Sequence, residues 1–291
     1  MGGRLSKQQG WPLKYDVTGQ VWVGGEDAGA MSLDGRGSFQ FKLLGDTARL
    51  EARAYAKRIN PNFYYRHYHS KYYWWDDDLE KEFRSRIEAT FSYPATETTL
   101  RAGIETIKDY TYLAATGSPL EDGREGLRCK DDVAVRQADN VHIAAAILRQ
   151  NLHVGPFHLD TEAVWQKSSD QEALPLPAVS LYGNLYLKTT MAKKVLKVEL
   201  GADCRWFSKY EAPAYSPGMQ QFVTQNAADR IALGGYPIVN IYANLHLKRT
   251  RIFAMMSHVT EGMGNRRSFL APHYPINPMM FKLGLSWNFF D

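Results

Sequence analysis

Five arginines and three glutamates carry the densest charge chemistry in the chain: Arg49, Arg53, Arg84, Arg86 and Arg101, with Glu51, Glu88 and Glu105 among them. Guanidinium and carboxylate groups at such spacing either brace one another or line a water-filled passage, and both roles need them on one wetted face. Four acids recur further along, Asp160, Glu162, Glu199 and Asp203. Facing the basic group across a lumen, they would set up a transverse field that biases a pore by charge. A net charge of +4 and a pI near 8.9 add a mild anion preference. Other chemistry is sparse. His67, His69 and Asp76 to Asp78 have the donor types of a metal site. They stand among Tyr64, Tyr65, Tyr68, Tyr72, Tyr73, Trp74 and Trp75, which reads as an aromatic loop packing at the outer leaflet. Cys129 falls in an expected loop and Cys204 in an expected strand, so no disulfide between them is expected. No Gly-x-Ser-x-Gly elbow, phosphate loop or His-Glu-x-x-His occurs, so no catalytic residue, metal or cofactor is expected. The acids interspersed among the bases disfavour a nucleic-acid surface.

The elements that position these charges are set by period. The chain has 291 residues, 44% of them hydrophobic, and a mean hydropathy of -0.41. Its longest clear apolar run, Ile143 to Leu148, is far short of the roughly 20 residues of a membrane helix. Alternation is pervasive instead. Phe281, Leu283, Leu285, Trp287 and Phe289 alternate with Lys282, Gly284, Ser286 and Asn288. Val239, Ile241, Ala243, Leu245 and Leu247 alternate with Asn240, Tyr242, Asn244, His246 and Lys248, and Leu50, Ala52, Ala54 and Ala56 with Arg49, Glu51, Arg53 and Tyr55. An extended strand puts each set on its own face, whereas a helix would spread the charges around its circumference.

This reading gives about 12 antiparallel strands, near 13–24, 35–44, 47–58, 80–93, 97–112, 138–152, 156–169, 177–190, 194–208, 236–249, 251–262 and 279–290. Their links alternate in length: short at 45–47, 94–97, 155–156, 191–194 and 250, long at 25–34, 59–79, 113–137, 170–176, 209–235 and 263–278. Short periplasmic turns and long extracellular loops are the arrangement of an all-β transmembrane barrel. Residues 1–12 read as an N-terminal extension and 13–291 as one barrel domain. A soluble sandwich or lipocalin-like barrel also alternates, with the oily face inward. Long strands, charged polar faces and 13% aromatics clustered at strand ends favour the membrane.

The segments Tyr64-Tyr-Arg-His-Tyr-His-Ser70, Trp74-Trp-Asp-Asp-Asp78, Leu181-Tyr-Gly-Asn-Leu-Tyr-Leu-Lys188, Ala271-Pro-His-Tyr-Pro-Ile-Asn-Pro278 and Phe281-Lys-Leu-Gly-Leu-Ser-Trp-Asn-Phe-Phe-Asp291 resemble the putative porin family of Bacteroidota outer membranes. The resemblance runs over nearly the whole chain. It implies an outer-membrane location, and with it contact with outer-membrane lipid, and supplies no catalytic residues. It also implies that the last strand, with Phe281, Leu283, Leu285, Trp287, Phe289 and Phe290, is the signal read by the barrel-insertion machinery. Family members begin with a secretion signal and are longer at the N-terminus, so this chain is expected to be a C-terminal portion of the barrel. The expected function is a porin-like channel for passive diffusion of small polar or charged solutes. The alternative is a scaffold or assembly-partner barrel with no open pore.

Overall fold

The computed structural model describes residues 1–71, 73–116, 133–226, 230–263 and 269–289. Tyr72, Cys129, Phe290 and Asp291 lie outside them. Thirteen strands form one antiparallel sheet in chain order. They are β1 (Gly2–Lys7), β2 (Leu13–Val21), β3 (Met31–Leu43), β4 (Asp46–Ile59), β7 (Glu82–Tyr93), β8 (Thr98–Ala115), β9 (Val133–Val154), β10 (Phe157–Ser168), β11 (Val179–Met191), β12 (Leu196–Phe207), β15 (Ile238–Leu247), β16 (Thr250–Ser257) and β19 (Met280–Trp287). The six remaining strands pair as hairpins inside the long connections: β5 (His67–His69) with β6 (Trp74–Asp76), β13 (Ala214–Ser216) with β14 (Gln221–Val223), and β17 (Phe269–Ala271) with β18 (Tyr274–Pro275). One short helix, α1 (Phe63–Arg66), precedes β5.

The connections alternate in length as expected, because the short ones carry hairpin-turn chemistry. Leu44 and Gly45 both take positive φ, 50° and 95°, which matches a tight turn to the twist of its strands. Ala192, Lys193 and Lys194 do the same between β11 and β12.

Three expectations need correction. Residues 1–12 are not a free extension, since Gly2–Lys7 pairs with β2 along its length. That strand is too short, with Leu5 as its one large apolar residue, to show a period in sequence. The long links are partly strand, with β8 running to Ala115 and β9 starting at Val133. The sheet has 13 strands rather than about 12. Among the described residues β1 and β19 are its two edges.

Register separates the two faces. On β11, Leu181, Leu185 and Leu187 share a face with Leu200, Ala202 and Trp206 of β12 and Ile241 and Ala243 of β15. This apolar face is open: Ile87 is 63% exposed, Leu185 56% and Leu283 68%. The opposite face holds the charges. At β9 it turns apolar, with Ile147 opposite Arg101, Ile143 opposite Glu105, and the fully buried Val141 opposite the equally buried Ile107. The run Ile143 to Leu148 is thus a strand apolar on both faces. If the open apolar face meets hydrocarbon, Leu185→Arg should lower folding stability in lipid vesicles by about 2–4 kcal/mol near mid-bilayer. Ser180→Arg, on the polar face, should leave it near that of the parent. Urea titration of the refolded protein reads both, and equal losses would assign the apolar face elsewhere.

Candidate functional site: the polar face of the sheet

The strands β4, β7 and β8 stand side by side, and their register brings the sequence-predicted arginines and glutamates onto one face. Arg53 lies opposite Glu88, and Arg86 opposite Glu105. Diagonal neighbours complete the contacts, as expected where long side chains share a sheet face. Arg86 pairs with Glu88 and stands 3.7 Å from Glu105, while Arg101 reaches Glu88 at 3.5 Å. Arg49 pairs with Glu51 at 2.6 Å. The Tyr55 hydroxyl donates to Glu105 at 2.9 Å.

Several partners were not legible as site residues. Arg53 is held at 2.7 Å by Asp34 of β3, and Arg84 at 2.8 Å by Glu82. Asp16 of β2 takes Arg4 at 2.6 Å and Arg36 at 3.7 Å. The strand expected at 35–44 begins at Met31, so its alternation starts early enough to include Asp34. The result is a ladder of opposite charges from β1 to β8. Apart from Arg84–Glu82, whose carboxylate is buried, its pairs are partly exposed, so each of those is worth only about 0–1 kcal/mol, and their main effect is to hold the guanidinium groups in place.

Beyond the apolar strip of β9 the face becomes polar again in a different style. Glu162 pairs with Arg149. Asp203 and Glu199 are instead held by amides, Asn240 Nδ2 donating at 3.0 Å and Asn244 Nδ2 at 3.1 Å. Asp160 lies opposite Asn184. Neutral donors satisfy a carboxylate without cancelling its charge. Arg205 covers the Tyr182 ring at 5.5 Å, a cation–π contact. Tyr242 reaches across β12 to donate to Asn184 Oδ1 at 3.0 Å. Only a glycine between them permits this, since a Cβ on Gly201 would lie 2.6 Å from the Tyr242 ring. Phe253 lies over Gly284 in the same manner. Cavities of about 490 Å³, between Asp16, Arg36 and Arg53, and about 410 Å³, between Tyr182, Asp203 and Tyr242, open on this face.

The family comparison covers the whole chain: the putative porins match it over residues 1–291. The chain belongs to the putative porin family. Its location is the bacterial outer membrane. In structure the chain is similar to the FrpB iron transporter from Neisseria meningitidis (F5-1 variant). The TM-score is 0.49 at 11% identity, covering 98% of this chain and 55% of that one. It is also similar to the ferric-catecholate import receptor Fiu from K12 E. coli, with a TM-score of 0.45 at 13% identity, covering 99% of this chain and 53% of that one. The chain spans about half the length of these solved structures. No curated protein matches it in sequence.

Of the last strand's residues, Phe281, Leu283, Leu285 and Trp287 lie on the open apolar face, and Phe289 stacks on Trp287 at 5.9 Å. Gly201→Ala should cost about 1–3 kcal/mol of stability by displacing Tyr242. In combination with Tyr242→Ala its effect should shrink, because the clash with that ring is then gone and only the Tyr186 Cβ, at 2.7 Å, still opposes the added methyl. Additive losses in urea titration would show that the glycine matters for another reason.

Proposed function

We propose that this chain forms the wall of a water-filled path for passive diffusion of small polar or charged solutes across the outer membrane. The observation that carries the reading is the polar face itself. It presents ion-paired arginines on β4, β7 and β8 and amide-held carboxylates on β12, while the side chains of Arg49, Arg53 and Arg101 remain about half exposed. Hydrated charge on one face of a lipid-embedded sheet calls for water on that side. Closure belongs to the reading too. With every neighbouring pair antiparallel, β1 and β19 run in the same direction, so an antiparallel seam between them takes an odd number of further strands. In a closed wall Asp160, Glu199 and Asp203 would face the basic group across the lumen and bias it by charge. The lipid-facing aromatics of β19 would serve as the signal for the barrel-insertion machinery, and the wall would do no chemistry on the solute.

A second reading, a scaffold barrel without an open pore, is favoured by the packed loops. Leu113 and Val133 at the far ends of β8 and β9 are buried against Ala214, Met219 and Val223.

Single-channel recording on the refolded protein separates the two: discrete conductance steps are expected, and their absence would favour the scaffold. Replacing Arg53, Arg84 and Arg101 together by Gln removes three positive charges, takes the arginine from Asp34 and from Glu82, and leaves Glu88 with Arg86 alone. The reversal potential in a salt gradient should therefore shift towards cations while the barrel stays folded. An unchanged potential would leave these arginines as braces. On intact cells, a cysteine at Tyr215 in a long connection should react with an impermeant reagent and one at Ala192 in a short turn should not. The reverse would invert the orientation.

A further inference from the structure

Three segments distant in sequence meet above the sheet, at the end where the long connections gather. Helix α1 and the β5–β6 hairpin lie on one side, the end of β8 beneath, and the β13–β14 hairpin on the other. Thr224 fastens the last of these to β8 through bonds to Leu113 and Ala115, at 2.9 and 3.0 Å. Gly218 lets it approach, since a Cβ there would lie 2.9 Å from the Tyr73 hydroxyl. The aromatic loop is therefore not spread on the outer leaflet. Tyr65, Tyr68, Tyr73 and Trp75 pack on the buried cluster of Leu113, Met219 and Val223.

This packing leaves a cavity of about 270 Å³. Its walls include the rings of Tyr64, Tyr65, Tyr68 and Trp75, and Tyr68 and Trp75 stack with centroids 5.0 Å apart. Two amides complete the lining, Asn62 and Gln221, and no charged residue contributes. Asn62 Oδ1 is taken by the Tyr64 N–H at 3.1 Å, which leaves its NH₂ group as donor. Among the described residues the Gln221 amide and the hydroxyls of Tyr64, Tyr65 and Tyr68 have no hydrogen-bond partner. Burial raises the Tyr65 hydroxyl above its usual pKa, so it stays protonated at neutral pH and able to donate.

We propose that this cavity binds a neutral saccharide ring. The C–H face of a pyranose carries slight positive charge and suits the negative face of an aromatic ring, and its hydroxyls match unengaged phenols and amides. An ionic ligand would find no counter-charge. A purely apolar one would strand the amide and hydroxyl groups at a desolvated surface. Aromatic walls with a few placed polar groups are the usual make-up of a small-molecule site.

The test uses the whole chain refolded in phosphatidylcholine vesicles, free of glycoside detergent, with maltose and cellobiose as probes and tryptophan fluorescence as readout. At least one sugar should give a saturating change, absent with the charged control glucuronate. Gln221→Leu keeps the side-chain volume and should weaken the midpoint about tenfold, the loss of one or two hydrogen bonds. Tyr64→Ala, at an exposed position, should weaken it similarly without touching the buried cluster. No saturable response to either sugar, or an unchanged midpoint in both variants, would overturn the proposal. Vesicles bearing a glycolipid with the same terminal sugar distinguish the source. A headgroup ligand would saturate the signal before any sugar is added, whereas a free solute would not.

Discussion

In hydrocarbon there is no water to satisfy a peptide group, so every backbone N–H and C=O must find its partner within the protein. The thirteen-stranded ladder meets this requirement for each of its inner strands and leaves it open at the outer edges of β1 and β19. The rest follows from it. A continuous ladder has a side-chain period of two, and a period of two divides each strand into an apolar set and a polar set. Leu185 and Asn184 are neighbours in sequence and stand on opposite faces.

The polar set is not uniform. From β1 to β8 arginines and carboxylates satisfy one another, which keeps the guanidinium groups oriented along the wall. At β9 the same face turns apolar through Ile143, Ala145 and Ile147. On β12 and β15 the carboxylates are met by asparagines. Two pieces of wall with different charge character thus share one sheet, divided by a strand that is oily on both sides.

Close packing concentrates where the ends of β8 and β9 meet the long connections. Leu113, Val133, Met219 and Val223 are buried there, whereas large apolar residues of the open sheet face such as Ile87, Leu185 and Leu283 are exposed. The same loops carry His67 and His69, both bound to Asp76. Hydrogen bonds from His67 and then His69 hold that carboxyl below its usual pKa. These residues brace the β5–β6 hairpin, and among the described residues no group of three or more such side chains could hold a metal.

Alternation alone determined the strand class, the two faces and the alternating link lengths, because a period of two is local and needs no knowledge of neighbours. It placed Arg49, Arg53, Glu88 and Glu105 on the polar face. Family motifs supplied the outer-membrane location. Partners were decided by tertiary structure. That Arg53 meets Asp34, that Tyr242 crosses Gly201 to reach Asn184, and that Tyr68 and Trp75 pack on Met219 all depend on register and on contacts between residues distant in the chain. Strand β1 stayed hidden because six residues with one large apolar side chain carry no readable period. The loop cap stayed hidden for a different reason: its core joins the ends of β8 and β9 to residues of the β5–β6 and β13–β14 connections, and contacts between segments so far apart leave no local period.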